Sequence, residues 1–198
     1  MSMRYSQLID KIDQINRSDP NQENIDGNSV AKQVLYSHRM LTRLLAFFPE
    51  SPEVLKIAVY AQHINRWHIA RSSYPTDRQG YLRWRKDLAE HHAQLTAKLM
   101  AEVGYSNEEI SLVKSIIKKQ NLKTDPLTQT LEDVACLVFL EYYLAAMMTN
   151  HSEEKLTVVI QKTWRKMSEA GQKSALEIDY TEAQHALIEK ALKTSNAA

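Results

Sequence analysis

Residues 131–141 read LEDVACLVFLE, and from Val134 to Leu140 no polar side chain, glycine or proline interrupts the run. Asp125 and Pro126 open the segment, and turn chemistry is absent until about 150. The spacing predicts a helix over about 125–150 that is apolar nearly all round, and such a helix belongs at the centre of an assembly of helices. Glu132 and Asp133 enter it near its start and Glu141 lies further along. A carboxylate carried into apolar surroundings needs a partner, because desolvating an unpaired charge costs several kcal/mol. An arginine from the 66–85 segment, a histidine or a metal would each serve. An acidic residue in the first turns of a helix also complements its dipole, which is the structural reading of Asp133.

Working outward, the rest of the chain is also helical in period. Leu8, Ile12 and Ile15 predict a helix over 3–16, broken by Ser18, Asp19, Pro20 and Asn21. A second is expected over 29–47, ending before Pro49. A third opens at Ser51 and Pro52, with Ser51 as cap and Pro52 in the first turn, and runs to about 70. Residues 71–80 are irregular. A fourth helix is expected over 81–103, closed by Gly104. Ser106 with Glu109 forms a capping box for a fifth, to about 121. After the apolar helix, two more are expected over 153–167 and 181–193, the latter capped by Thr181 and Gln184. Residues 194–198 are expected to fray. The fold class is therefore all-α, a bundle of about seven to eight helices. The expected domain is single, 1–198, with helices over 151–193 packed on a core of about 30–150.

Composition narrows the function classes. Four glycines and five prolines in 198 residues leave little turn chemistry for an all-β fold. Twenty-five basic against 24 acidic residues give a net charge of +1, so no global field draws in nucleic acid or membrane. Cys136 is the only cysteine, which excludes an internal disulfide and a CxxC zinc site. The polar N-terminus lacks the apolar segment of a secretion signal, and no run of 18 apolar residues occurs, so no membrane partner and a cytoplasmic location are the expectation.

The chemistry concentrates in residues 63–92, HINRWHIARSSYPTDRQGYLRWRKDLAEHH. Four of the seven histidines fall there, and six Arg or Lys against three Asp or Glu give a local charge of +3. Arg66, Arg71, Arg78 and Arg85 are candidates for bidentate contact with phosphate oxygens. Trp67, Tyr74, Tyr81 and Trp84 are candidates for stacking on a base, or for packing beneath arginine stems. Leu88, His92, Leu95 and Leu99 share one helical face, so His92 is expected inward. His91 falls with Asp87, Gln94 and Lys98 and is expected to be wet. His63 is expected beside the core stripe of the third helix, next to Arg66 and Trp67. Lys118 and Lys119 are expected on a solvated face.

The order of these residues resembles that of the HD-domain phosphohydrolases, over roughly 30–150. That resemblance implies a helical metal site, with His38 as first histidine, His63 in AVYAQHIN as the histidine of the pair, Asp133 in LEDVACLVFLE as the late aspartate, and His92 as a further histidine. Two positions depart: Ile64 stands where the paired aspartate would be, and Gln120 where a second further histidine would be. Loss of that carboxylate removes a ligand for a hard divalent ion. The runs QHINRW, RSSYPTDRQGYLRWR, KTDPLTQTLEDVACLVFLE and KTWRKMS resemble, over nearly the whole chain, the family catalogued as domain of unknown function 4202. This implies a shared fold and site without supplying an activity.

Three functions follow. In the first, a metal-dependent phosphohydrolase acts on a nucleotide or other phosphorylated small molecule. His63, His92, Asp133 and Glu132 would be its catalytic groups, with His38, His63, His92 and Asp133 around Fe, Mn, Zn or Ni. The second is a non-catalytic module binding nucleotide or RNA. In the third, the arginines brace the bundle through pairs with Glu132, Asp133 and Glu141. The oligomeric state is not legible.

Overall fold

Ser2 accepts the Tyr5 N–H and so caps α1 (Met3–Asn16), whose Tyr5, Leu8 and Ile12 are buried along one stripe. The computed structural model describes residues 2–195. Within the chain two compact units are distinguished, Met1–Thr128 and Gln129–Ala198.

In the first unit the break after α1 leads into a hairpin that the helical reading passed over. Strands β1 (Gln22–Ile25) and β2 (Asn28–Ala31) pair antiparallel, Gln22 opposite Ala31 and Ile25 opposite Asn28. The signal was Asp26-Gly27: both residues take positive φ (51° and 82°), as a two-residue hairpin turn requires. The hairpin displaces the start of α2 to Lys32, so that helix runs Lys32–Phe47. Buried Asp19 ties the two together, accepting the Asn21 and Gln33 N–H groups.

Helix α3 (Glu53–Ala61) is the centre of this unit. Leu55, Ile57, Ala58, Val59, Tyr60 and Ala61 are all buried, and each large apolar side chain there contributes about 1.5–3 kcal/mol. Ser51 does not cap it; Pro52 occupies the capping position instead. The helix also ends nine residues sooner than the sequence suggested. Helix α4 (Arg78–Glu102) starts three residues early, because Asp77 accepts the Gly80 N–H at 2.6 Å. Gly104 ends it with φ of 84°. Helix α5 (Asn107–Ile117) begins with the expected Ser106/Glu109 capping box. Helix α3 packs on α2 and α5, α5 packs on α4, and α1 touches α2, α3 and α4.

Helix α6 (Pro126–Val138) passes into the second unit. Leu131–Asp133, Val134 and Cys136–Val138 are buried, as the apolar run implied. A π turn at Phe139–Tyr143 leads into α7 (Leu144–Met148). Helix α8 (Glu153–Lys166) packs against α10 (Glu182–Ser195), whose Thr181/Gln184 box forms as expected. Between them lies α9 (Glu169–Leu176), absent from the sequence reading. The fraying expected over 194–198 is not seen at Thr194, whose hydroxyl donates to the Lys190 carbonyl; Asn196, Ala197 and Ala198 lie outside the described residues. The all-α class therefore holds, with one small hairpin. No helix among the described residues is long and apolar enough to cross a membrane.

Candidate functional site

The site begins with the premature end of α3. Asn65 takes a left-handed conformation, φ 51° and ψ 36°, which costs most residues about 1–2 kcal/mol but asparagine less. Its backbone N–H is held by the side-chain oxygen of Asn16 on α1, at 3.1 Å. Asn16 is fully buried and its amide nitrogen donates to Ser37 on α2. This clasp turns the chain out of the helix and into a short 3-10 turn, Arg66–His68.

The reversal brings four imidazoles and a tyrosine ring together. His63 stacks on Tyr36 of α2, ring centres 4.5 Å apart and nearly parallel. Its ring lies 5.9 Å from that of His92 on α4. His92 is 2% exposed, and its Nδ1 sits 2.7 Å from the Ile64 carbonyl. A carbonyl only accepts, so Nδ1 carries the hydrogen and Nε2 carries a lone pair. Nε2 is buried with no hydrogen-bond partner. His91 is not simply wet: it stacks on His68 at 4.9 Å, and its own Nε2 is buried without a partner. The helical-face rule missed this because the 3-10 turn covers the neighbouring face of α4.

Next to these rings is a cavity of about 530 Å3. Gln62, Leu88, His92 and Ile117 form its buried wall, with His63 beside them. Its rim carries Arg66, Arg85, Lys86, Lys118 and Lys119, and Gln120 completes it. The one carboxylate lining it among the described residues is Glu90, which Lys118 engages at 2.7 Å. Arg66, Arg85 and Lys86 have no carboxylate partner among the described residues. Lys119 is held at φ 53° in a run of left-handed residues with Asn121 and Lys123, the kind of backbone strain that clusters at binding sites.

The electrostatics follow from burial and charge. Burial holds His63 neutral well below its ordinary range, and Arg66, His92, Lys119 and Arg85 push it the same way. Burial lowers His92 to about 3, only partly offset by the bond to Ile64. Burial also lowers Arg66. Two neutral imidazoles thus face a positively charged rim.

The structure gathers only some of the sequence candidates. His63, His92, Arg66 and Arg85 line the cavity, and Gln120 joins them. Other members of the Arg and aromatic stretch are engaged elsewhere. Trp84 donates to the Ile69 carbonyl at 2.9 Å and lies under Arg66 at 5.0 Å. Arg71 donates to the Tyr74 carbonyl, and the Tyr74 hydroxyl donates to Asp87. These bonds fasten the 66–77 loop to α4. Gly80 allows it to lie there, since a Cβ would fall 2.2 Å from the Pro75 oxygen. Trp67 is half-buried away from the cavity lining, and Arg78 and Tyr81 are exposed on the first turn of α4. Lys118 and Lys119 are rim residues, rather than part of an unoccupied solvated face. The sign that could have revealed them is the Lys-Lys-Gln-Asn end of α5, which has no glycine to take the left-handed turn.

His38 lies outside the cavity. Its Nε2 is 3.1 Å from the Tyr60 hydroxyl and 3.7 Å from Asp13, and Tyr60 donates to Asp13 at 2.6 Å. Asp133 belongs to the second unit, where its carboxylate accepts from the Ser168 N–H and hydroxyl (2.7 and 2.6 Å) and from Gln129. Ser168 is the cap of α9, so Asp133 anchors that helix. Glu132 is buried, 3.5 Å from Lys166. Among the described residues no group of three or more His, Cys, Asp or Glu side chains is arranged to hold a metal.

Comparison with known proteins gives one match, to the family described as domain of unknown function (DUF4202), over residues 6–188. The chain belongs to that family. The match covers both units and every cavity residue, so the DUF4202 domain contains the whole site. No curated protein and no solved structure matches. The HD-domain likeness therefore rests on residue order.

Proposed function

We propose that this protein binds a phosphorylated small molecule in the cavity between α3, α4 and α5, with His63 and His92 as hydrogen-bond-accepting groups facing it. One observation carries the reading: five basic side chains and one already-paired carboxylate surround two neutral imidazoles in a space of about 530 Å3. Arg66 and Arg85 have no carboxylate partner among the described residues, so a phosphate would supply the charge compensation missing there. The imidazoles are weak bases in the empty site, and an anionic phosphate bound beside them would raise their basicity, which hydrolysis of a phosphoester would require. The volume matches a nucleotide or sugar phosphate. A cytoplasmic setting fits such a ligand.

A divalent metal is the second reading. An imidazole that donates Nδ1–H to a carbonyl and keeps Nε2 free is arranged as metal-binding histidines are. His63 and His92 would hold the ion, and the nitrogen donors suit zinc or nickel better than manganese. The cationic rim opposes it, and His38, Glu132 and Asp133 are engaged with other groups, which leaves the two histidines as its ligands. Binding of RNA would have to use exposed Tyr81, Arg78 and Arg83, since Tyr74 and Trp84 are committed to the loop.

The test is a phosphoester turnover and binding panel on intact protein and the Arg66→Gln/Arg85→Gln variant. Binding of nucleoside or sugar phosphates that falls at least tenfold in the variant is expected. Binding confined to RNA, with affinity falling steeply as salt rises, would replace this reading by the RNA one.

A further inference from the structure

The phosphate reading accounts for the rim of the cavity and leaves one atom of its wall unexplained. His92 Nε2 is a hydrogen-bond acceptor, buried, in a side chain that lines the cavity, and nothing among the described residues donates to it. The nearest rings do not: His63 and His91 lie 5.9 and 5.8 Å away, centre to centre, without a hydrogen bond. The tautomer cannot reverse to relieve this, because the Ile64 carbonyl requires the hydrogen on Nδ1. An orphaned buried acceptor destabilises the fold, and the fold nevertheless maintains it in place.

We propose that the ligand is a phosphorylated alcohol, such as a sugar phosphate or nucleotide, whose hydroxyl donates to His92 Nε2 while its phosphate sits against Arg66 and Arg85. This rests on the phosphate reading and adds the second recognition point. A hydroxyl fits where an amine does not. An amine would be protonated and would face the positive charges of Arg66, Arg85 and Lys119, which add to burial in keeping His63 neutral. A bare phosphate or an alkyl phosphate would leave the acceptor unpaired. A site that hydrogen-bonds a ligand hydroxyl discriminates strongly against an analogue that lacks it. His92 therefore reads the ligand by accepting the hydrogen of its hydroxyl.

Calorimetric titration of ribose 5-phosphate and of n-propyl phosphate into the full chain tests this. Wild-type protein is expected to bind ribose 5-phosphate about 10- to 100-fold more tightly. His92→Phe should bind both alike, at the n-propyl phosphate affinity. His92→Gln keeps an acceptor oxygen and should retain part of the preference, which guards against a His92→Phe variant that fails to fold. Equal affinities in the wild type, or a preference that persists in folded His92→Phe, would overturn the hydroxyl contact and leave the phosphate reading standing. Binding of neither compound would overturn both. Stoichiometric zinc lost on His92→Phe would assign Nε2 to a metal instead.

Discussion

Asn16 should hold the site together from a distance of 47 residues along the chain from His63. Replacing it with alanine removes two hydrogen bonds, one to the Asn65 N–H at 3.1 Å and one to Ser37 at 3.3 Å. Asn16 and Ser37 are buried (0% and 1% exposed), so water cannot readily replace what is lost. Each orphaned partner costs about 1–3 kcal/mol, which puts Asn16→Ala at about 2–6 kcal/mol. For a chain of this length, 3 kcal/mol corresponds to a fall in Tm of roughly 6–12 °C. Urea denaturation followed by tryptophan fluorescence reads this well, because Trp67 and Trp84 both lie in the first unit. Asn65→Gly is the companion variant. Glycine takes positive φ without strain, so stability should change by less than about 1 kcal/mol, while Asn65→Val should lose about 2 kcal/mol or more. With the turn loosened, His63 and Arg66 lose their placement and Asn16→Ala should also bind phosphate ligands more weakly. A change in stability below about 0.5 kcal/mol for Asn16→Ala would refute the clasp.

Acid should destabilise the protein through His92. Its folded pKa of about 3 lies below the ordinary 6.5, so the unfolded chain takes up a proton that the folded one refuses, and stability falls as pH drops from 6.5 towards 3. The slope is up to about 1.4 kcal/mol per pH unit for that group, and His92→Phe should flatten it in pH-dependent urea titrations. His38 has the opposite sign. Its hydrogen bond with Asp13 raises it, so its contribution is full below 6.5 and lost as pH rises through the folded value. A wild-type advantage over His38→Gln that grew with rising pH would contradict this. Gly80→Ala should cost about 2–4 kcal/mol, because the added Cβ meets Pro75 backbone at 2.2 and 2.8 Å, and should weaken ligand binding through the displaced loop; unchanged melting would refute it. Asp133→Ala should lower the stability of the second unit by about 1–3 kcal/mol by uncapping Ser168, while phosphate binding in the cavity stays within twofold; lost binding at unchanged stability would return Asp133 to the site.

The helices were legible where local chemistry decides them. Ser106 with Glu109, Thr181 with Gln184, and Gly104 behave as short-range signals should. What escaped was set by distant partners. Helix α3 stops at Ala61 because Asn16 captures the Asn65 N–H, and no window around 61–70 contains that information. The Asp26-Gly27 hairpin was in principle readable and was masked by helical periodicity on either side. For the site, periodicity placed His92 inward and clustering pointed to His63, Arg66 and Arg85. The same clustering overestimated Arg71, Tyr74 and Trp84, whose composition looks identical to a binding stretch but whose bonds fasten a loop. Helical phase missed Lys118 and Lys119 because a left-handed turn at Lys119 aims the chain at the cavity, and its one local sign is the glycine-free end of α5.

The most direct test of the phosphate-binding cavity is a heteronuclear NMR titration of adenosine 5′-monophosphate and ribose 5-phosphate into intact protein, repeated with Arg66→Gln/Arg85→Gln. Saturable shifts confined to residues 62–66, 85–92 and 117–120, and lost in the folded variant, are the expected result. No saturable shift at millimolar ligand, or shifts that lie elsewhere and survive the double substitution, would contradict it.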